Sequence, residues 1–344
     1  MKKKLFLGLL AAAAVSFTAC QKDEVISEMP QDEAIGFGTY VGRDAQTKAS
    51  VIDETALGTQ GLGVFAYYTG TSDYASTTKP EFMYNEKVYV EGGNWKYDNI
   101  KYWPGNSEQV SFFAYAPYVR AKDAKITALP AADVAGDPTI GFTVPATVSE
   151  QIDLLYATPV TDVYQDLVTL NFNHALSRIG FKAATARDDF KVTINEIKVS
   201  GKFNTTGVLN LATVDSEDGK WTTLNVSTEN EGISSYIVDK FLAVAENLSN
   251  TEAQPISEDD GYLMVLPTAF TENVTVTVKY DYTYYGTTVT NKEQSGSISN
   301  LTLAKGKAYT FVLTLNPTSD LNPITFDVEV NPWDPTNGTD VTVN

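Results

Sequence analysis

Apolar and polar residues alternate with a period of two through most of this chain, and clusters of Gly, Pro, Asn and Asp interrupt the alternation at short intervals. Side chains of extended backbone point to opposite faces in turn, so the pattern predicts strands with one buried face. The clearest run is 274–284, which sets Val274, Val276, Val278, Tyr280, Tyr282 and Tyr284 on one side before Tyr285-Gly286 turns the chain. Similar runs occupy 35–41, 110–115, 167–172, 192–199, 262–266, 309–315 and 324–330. In the first of these, Ile35, Phe37 and Val41 share a face. Helical periodicity is weak. Residues 174–184 read either as a helix or as a strand through Ile179 and Phe181, and 234–247 is a second helix candidate. The stretch 120–150, rich in Ala, Asp, Pro and Thr, reads as a long surface connection, and 250–260 as an acidic loop.

The N-terminus has a different character. Lys2, Lys3 and Lys4 precede an apolar run from Leu5 to Val15, and small residues lead to Cys20, the chain's single cysteine. A basic, then apolar, then small-residue layout is that of an export signal, and the run is too short to span a bilayer core, which takes about 20 apolar residues. Ala19-Cys20 resembles the bacterial lipobox, with Phe17 where leucine is usual. That resemblance implies cleavage after residue 19, acylation of Cys20 and attachment to the outer membrane through the lipid. Gln21-Lys22-Asp23-Glu24 resembles the acidic signal that sends lipoproteins of Bacteroidota to the cell surface. Residues 21–33 are polar and read as a tether.

Composition narrows the picture further. Removal of the signal leaves roughly 325 residues, a length suited to two domains of about 150 residues each. The expected organisation is a signal peptide at 1–19, a lipidated leader at 20–48, a first domain at 49–164 and a second at 165–344. Tyr, Phe, Thr and Val are abundant, which suits an all-β chain. With one cysteine there is no internal disulfide, so burial and sheet hydrogen bonds must hold the fold. A formal charge of −18 argues against nucleic acid and anionic lipid surfaces as partners.

The residue types that carry catalysis are sparse. His174 is the single histidine, and no nucleophile setting accompanies it, so it reads as structural and no catalytic residue is assigned. One histidine and one cysteine cannot build a zinc site, and no cofactor or metal is expected. Acid pairs such as Asp188-Asp189 and Glu258-Asp259-Asp260 read as solvated loops. Tyr67, Tyr68, Tyr74, Tyr84, Tyr89, Trp95, Tyr97, Tyr102 and Trp103 crowd the first half, mostly as core, with a sugar-stacking platform as the alternative.

Several segments together resemble the fimbrillin family, the Mfa-like subunits of type V pili. They are Tyr102-Trp103-Pro104, the run 110–118, Asp153-Leu154-Leu155-Tyr156-Ala157, the run 170–179 that contains His174, and 326–333 ending in Pro332-Trp333. The resemblance implies two transthyretin-like β-sandwich domains in tandem and a non-enzymatic role in fimbriae and cell adhesion. It also implies removal of the acylated leader with the first strand by an Arg- or Lys-specific protease. Lys48-Ala49 stands where the family has Arg-Ala, and Arg43 is the other candidate. The strand removed would then be the one bearing Ile35, Phe37 and Val41.

Withdrawing a strand bares two backbone edges and an apolar groove, which a strand from another pilus subunit would fill, giving an open filament. The donor is expected near the C-terminus. The run 324–330 reads as an ordinary core strand, which leaves the tail with Val341 and Val343 as donor candidate. Expected partners are other subunits and a host protein or glycan receptor. The alternative is a surface-anchored lipoprotein that binds glycan and does not polymerise.

Overall fold

The computed structural model describes residues 33–41, 52, 54–213, 220–249, 251–258, 261–318, 324–333 and 341–342. Cys20, Arg43, Lys48, Ala49 and Val343 lie outside them, and of Val41 and Val341 the backbone alone is described. The described residues are all-β, as the alternation predicts, with one short α-helix among them, Glu54–Gln60.

The first sheet runs in the order Phe37–Val41, Val168–His174, Leu155–Ala157, Gln109–Ala116, Leu62–Gly70, Met83–Glu91, Asn94–Lys96, with Val160–Val163 paired beside Gln109–Ala116. Its central strands are apolar on both faces because both faces are covered. Val110, Phe112, Ala114 and Ala116 face one core, shared with Leu57, Tyr97 and Trp103, while Phe113 and Tyr115 face the other. That second face meets residues of a four-stranded sheet ordered Trp221–Val226, Asn204–Asn210, Thr139–Thr143, Ile126–Ala128, including Ile126, Ile140, Phe142 and Leu209.

Two further sheets organise the C-terminal half. One runs Gln254–Pro255, Ser177–Thr185, Lys307–Leu315, Ile324–Pro332, Val341–Thr342, with Leu263–Val265 also on Ser177–Thr185. The other runs Ser234–Val238, Phe190–Gly201, Val274–Tyr284, Thr287–Ile298. Val274, Val276, Val278 and Tyr280 are buried, and Tyr282 and Tyr284 are half-buried at the strand's outer end.

Two expectations need correction, one open alternative is settled, and pairing runs across one expected boundary. Residues 177–185 form a strand, because Ile179, Phe181 and Ala183 all enter one core and the backbone pairs along Lys307–Leu315. The stretch 234–247 holds a strand, Ser234–Val238, and a 3₁₀ turn, Ala243–Glu246, whose mixed apolar residues give no continuous helical stripe. Residues 120–150 contribute two strands, since Ile126, Ile140 and Phe142 have a core to fill. The boundary at 164/165 is crossed by pairing: Val168–His174 belongs to the first sheet, and Asn204–Asn210 returns to pair with Thr139–Thr143. One continuous core therefore reaches from Phe65 to Trp333.

Candidate functional site

The leading strand, Phe37–Val41, lies at the edge of the first sheet, parallel to Val168–Phe172 in the register Phe37↔Val168, Thr39↔Leu170, Val41↔Phe172. Just before it, the chain is gripped from the other side. Ile35 N–H donates to the Lys101 carbonyl at 2.9 Å, and Trp103 N–H donates to the Glu33 carbonyl at 3.0 Å. Val168 N–H donates to the Gly36 carbonyl at 3.0 Å. The expected pair of bared edges thus takes a specific form: one ladder along 168–172 and a short bridge at 101–103.

Below this backbone lies an apolar groove. Ile35 and Phe37 are 2% and 6% exposed. The Phe37 ring meets Tyr97 at 5.4 Å and Phe112 at 5.9 Å, both edge to face, and Trp103 packs on Phe112 from beyond. Burying two such side chains contributes about 3–6 kcal/mol, so the leading strand is a substantial part of the first core. The Tyr97 hydroxyl donates to the Ile35 carbonyl at 2.8 Å, and burial pushes that hydroxyl above the ordinary tyrosine range, which keeps it a donor.

Alternation carries Thr39 to the same face, between Phe37 and Val41, and its Oγ1 is buried without a hydrogen-bond partner. Thr39 is polar, so apolar patterning does not mark it, although its place in the alternation does. Gly36 and Gly38 face the other way. A Cβ at either would come within about 3.1 Å of the Leu167 side chain, so glycine lets the strand lie close to its neighbour.

His174 ends the strand that carries the leading strand, and it is buried. Its Nδ1 is 2.9 Å from Asp153 Oδ1, its ring stacks on Trp333 at 4.3 Å, and Ile52 N–H donates to Asp153 Oδ2 at 3.0 Å. The cluster ties the start of the body, the end of the neighbouring strand and Trp333 into one buried joint. It offers no nucleophile, and among the described residues no group of three His, Cys, Asp or Glu is placed to hold a metal. Asp189 pairs with Arg187.

At the other end of the chain, Ile324–Pro332 pairs antiparallel with Lys307–Leu315 over nine residues. The backbone of Val341 and Thr342 pairs beside Val330 and Glu329. Most of the noted aromatics pack inward or against neighbours, but Tyr68 and Tyr102 are about half exposed. With Phe82, Pro104, Glu81 and Glu108 they line an open groove of about 620 Å³.

Residues 47–333 match the family model described as fimbrillin-like. The fimbrium subunit Fim1C of Phocaeicola vulgatus is 27% identical, with 98% of each chain aligned. A fimbrial protein from Bacteroides vulgatus has a similar fold at a TM-score of 0.64 and 22% identity, covering 88% of this chain and 100% of its own. A candidate cell adhesion protein from Bacteroides ovatus aligns at a TM-score of 0.53 and 17% identity, covering 88% and 98%.

Proposed function

This chain belongs to the fimbrillin-like family, and from that premise we propose that it is a pilus subunit delivered as a surface lipoprotein and assembled by exchange of its leading strand. Acylation of Cys20 holds the precursor at the outer membrane. Cleavage after Arg43 or Lys48 frees the strand that bears Ile35, Phe37 and Val41. A neighbouring subunit then fills the groove with a strand from near its C-terminus, the tail with Val341 and Val343 being one candidate.

One observation carries the reading: Phe37–Val41 is an edge strand, held by one ladder and a short bridge, yet it closes an apolar core. An edge strand can leave without unthreading the sheet. The groove it leaves cannot stay exposed, because its lining loses burial and the edge of 168–172 loses its hydrogen bonds. Replacing both Arg43 and Lys48 by Ala tests this. The variant is expected to remain a folded, lipidated monomer, and filaments of normal length from it would overturn the cleavage step.

The open groove at Tyr68 supports a second reading, a receptor face for glycan. Exposed rings offer stacking surfaces for sugar C–H groups, and the Glu81 and Glu108 carboxylates can accept hydrogen bonds from sugar hydroxyls. Glycan-array binding that disappears in the double variant Tyr68→Ala, Tyr102→Ala would favour it, and identical profiles for the two proteins would remove it.

A further inference from the structure

We propose that the open groove at Tyr68 and Tyr102 takes an uncharged glycan, and that it holds its binding shape only while a segment occupies the position of residues 33–35. This rests on the glycan reading of that groove given above and adds its ligand class and its control by the leading segment. The lining sets the class. Tyr68 and Phe82 lie nearly parallel, with ring centroids 6.4 Å apart and planes 24° apart, so they offer one broad ring surface, and the exposed Tyr102 adds to it. Such a surface fits the C–H face of a pyranose. The Glu81 and Glu108 carboxylates accept hydrogen bonds from sugar hydroxyls, and Thr77 and Thr78 bring hydroxyls of their own. Glu108 accepts from the Tyr68 hydroxyl and so raises it above the ordinary tyrosine range, which keeps that group a donor. Lys79, which also lines the groove, is paired with Glu81 at 3.4 Å. With two carboxylates in the lining and a formal charge of −18 on the chain, a sialylated or sulfated glycan is repelled.

One wall of this groove is tied to the leading segment. Tyr102 and Pro104 belong to 101–104, which joins none of the sheets described above, and its β-bridge among the described residues pairs Tyr102 with Ala34. Flanking that bridge are the bonds from Ile35 N–H to the Lys101 carbonyl and from Trp103 N–H to the Glu33 carbonyl. The Tyr97 hydroxyl joins the same two segments, accepting from Lys101 N–H at 3.2 Å and donating to the Ile35 carbonyl. Three consecutive side chains then diverge: Lys101 Nζ stands 5.7 Å over the Phe82 ring, Tyr102 lines the groove, and Trp103 is buried against Phe112. When the leading segment leaves, the Lys101 carbonyl and the Trp103 N–H lose these partners and the Tyr102 bridge opens. The backbone that positions Tyr102 and Pro104 is then free to move, and ordering it again opposes binding. A subunit that is cut but not yet refilled is therefore silent toward the glycan, whereas the precursor binds it. By reciprocity, bound glycan strengthens the hold on the leading segment by the same factor.

The test begins with the full chain on an array of neutral, sialylated and sulfated oligosaccharides. Binding confined to neutral glycans and lost in Tyr102→Ala is expected; binding to no glycan, or equally to acidic ones, would overturn the ligand class and the glycan reading with it. The neutral oligosaccharide bound most tightly then serves as the probe for three forms. These are the uncleaved chain, the chain cleaved after Arg43 or Lys48, freed of its leader and kept dilute enough to stay monomeric, and that cleaved chain with a synthetic peptide of residues 31–42 added back. Affinity is expected to fall about tenfold on loss of the leader and to return with the peptide, and saturating glycan should tighten peptide binding by the same factor. Equal affinities in the first two forms would overturn the coupling while leaving the groove a binding face. A leader that stays bound after cleavage would remove the exchange reading instead, and Tyr97→Phe in the uncleaved chain then decides the coupling. That variant lacks only the hydroxyl between the two segments and is expected to bind the probe about threefold more weakly, whereas unchanged binding would overturn the link.

Discussion

Phe37 and Phe112 meet edge to face with ring centroids 5.9 Å apart, which joins the leading strand to the central strand of the first sheet. The contact lies inside the groove that cleavage would open. Phe37→Ala should therefore destabilise the uncleaved chain by about 3–5 kcal/mol, as for other buried phenylalanines. The same substitution should leave the cleaved, assembled subunit unchanged, because residue 37 has then departed. Urea melts of the two forms provide the comparison.

Tyr97→Phe removes the donor that meets the Ile35 carbonyl at 2.8 Å and keeps the ring against Phe37. The orphaned carbonyl is expected to cost about 1–3 kcal/mol. The loss should appear first as faster proteolysis after Arg43 or Lys48, since the strand lifts more often. Unchanged cleavage rates would contradict this.

Burial raises the hydroxyls of Tyr67, Tyr115, Tyr236 and Tyr280 well above the ordinary tyrosine range. The folded state then favours the neutral phenol, while the unfolded chain ionises near pH 10. Their contribution is complete below about pH 10 and falls as pH rises past it, by about 1.4 kcal/mol per pH unit for each tyrosine still protonated in the fold. Denaturation midpoints measured from pH 8 to 12 should decline steeply above 10, with ultraviolet absorbance reporting ionisation at the same step.

Asp153→Ala removes the acceptor of Ile52 N–H and the partner of His174 Nδ1. A loss of roughly 2–4 kcal/mol is expected from two buried groups deprived of that partner. Because His174 stacks on Trp333, tryptophan emission should shift in the same variant. A stability loss without a spectral change would show that the joint is not a single unit.

Legibility from sequence followed the range of the interaction. The strand 274–284 is visible because its alternation is local and its inner valines face one core. The leading strand was visible for the same reason. Its partner was not, since the parallel pairing of Phe37 with Val168 joins segments far apart in the chain and leaves no mark in either. Ser177–Thr185 was ambiguous because Ile179 and Phe181 sit among small residues, and only the ladder with Lys307–Leu315 decides the matter. The single histidine stood out in the sequence, but Asp153 and Trp333, which fix its role, are brought to it by tertiary packing. Thr39 is the clearest omission: a search for apolar positions skips the one polar residue whose burial matters.

Assembly by strand exchange depends most on the leading strand leaving. Mass spectrometry of the N-terminus of the subunit in purified surface filaments tests that directly. Strand exchange predicts a chain beginning at Asp44 or Ala49, with no acyl group and no residues 35–41. Filaments whose subunits all begin at acylated Cys20 and retain Ile35 to Val41 would contradict it.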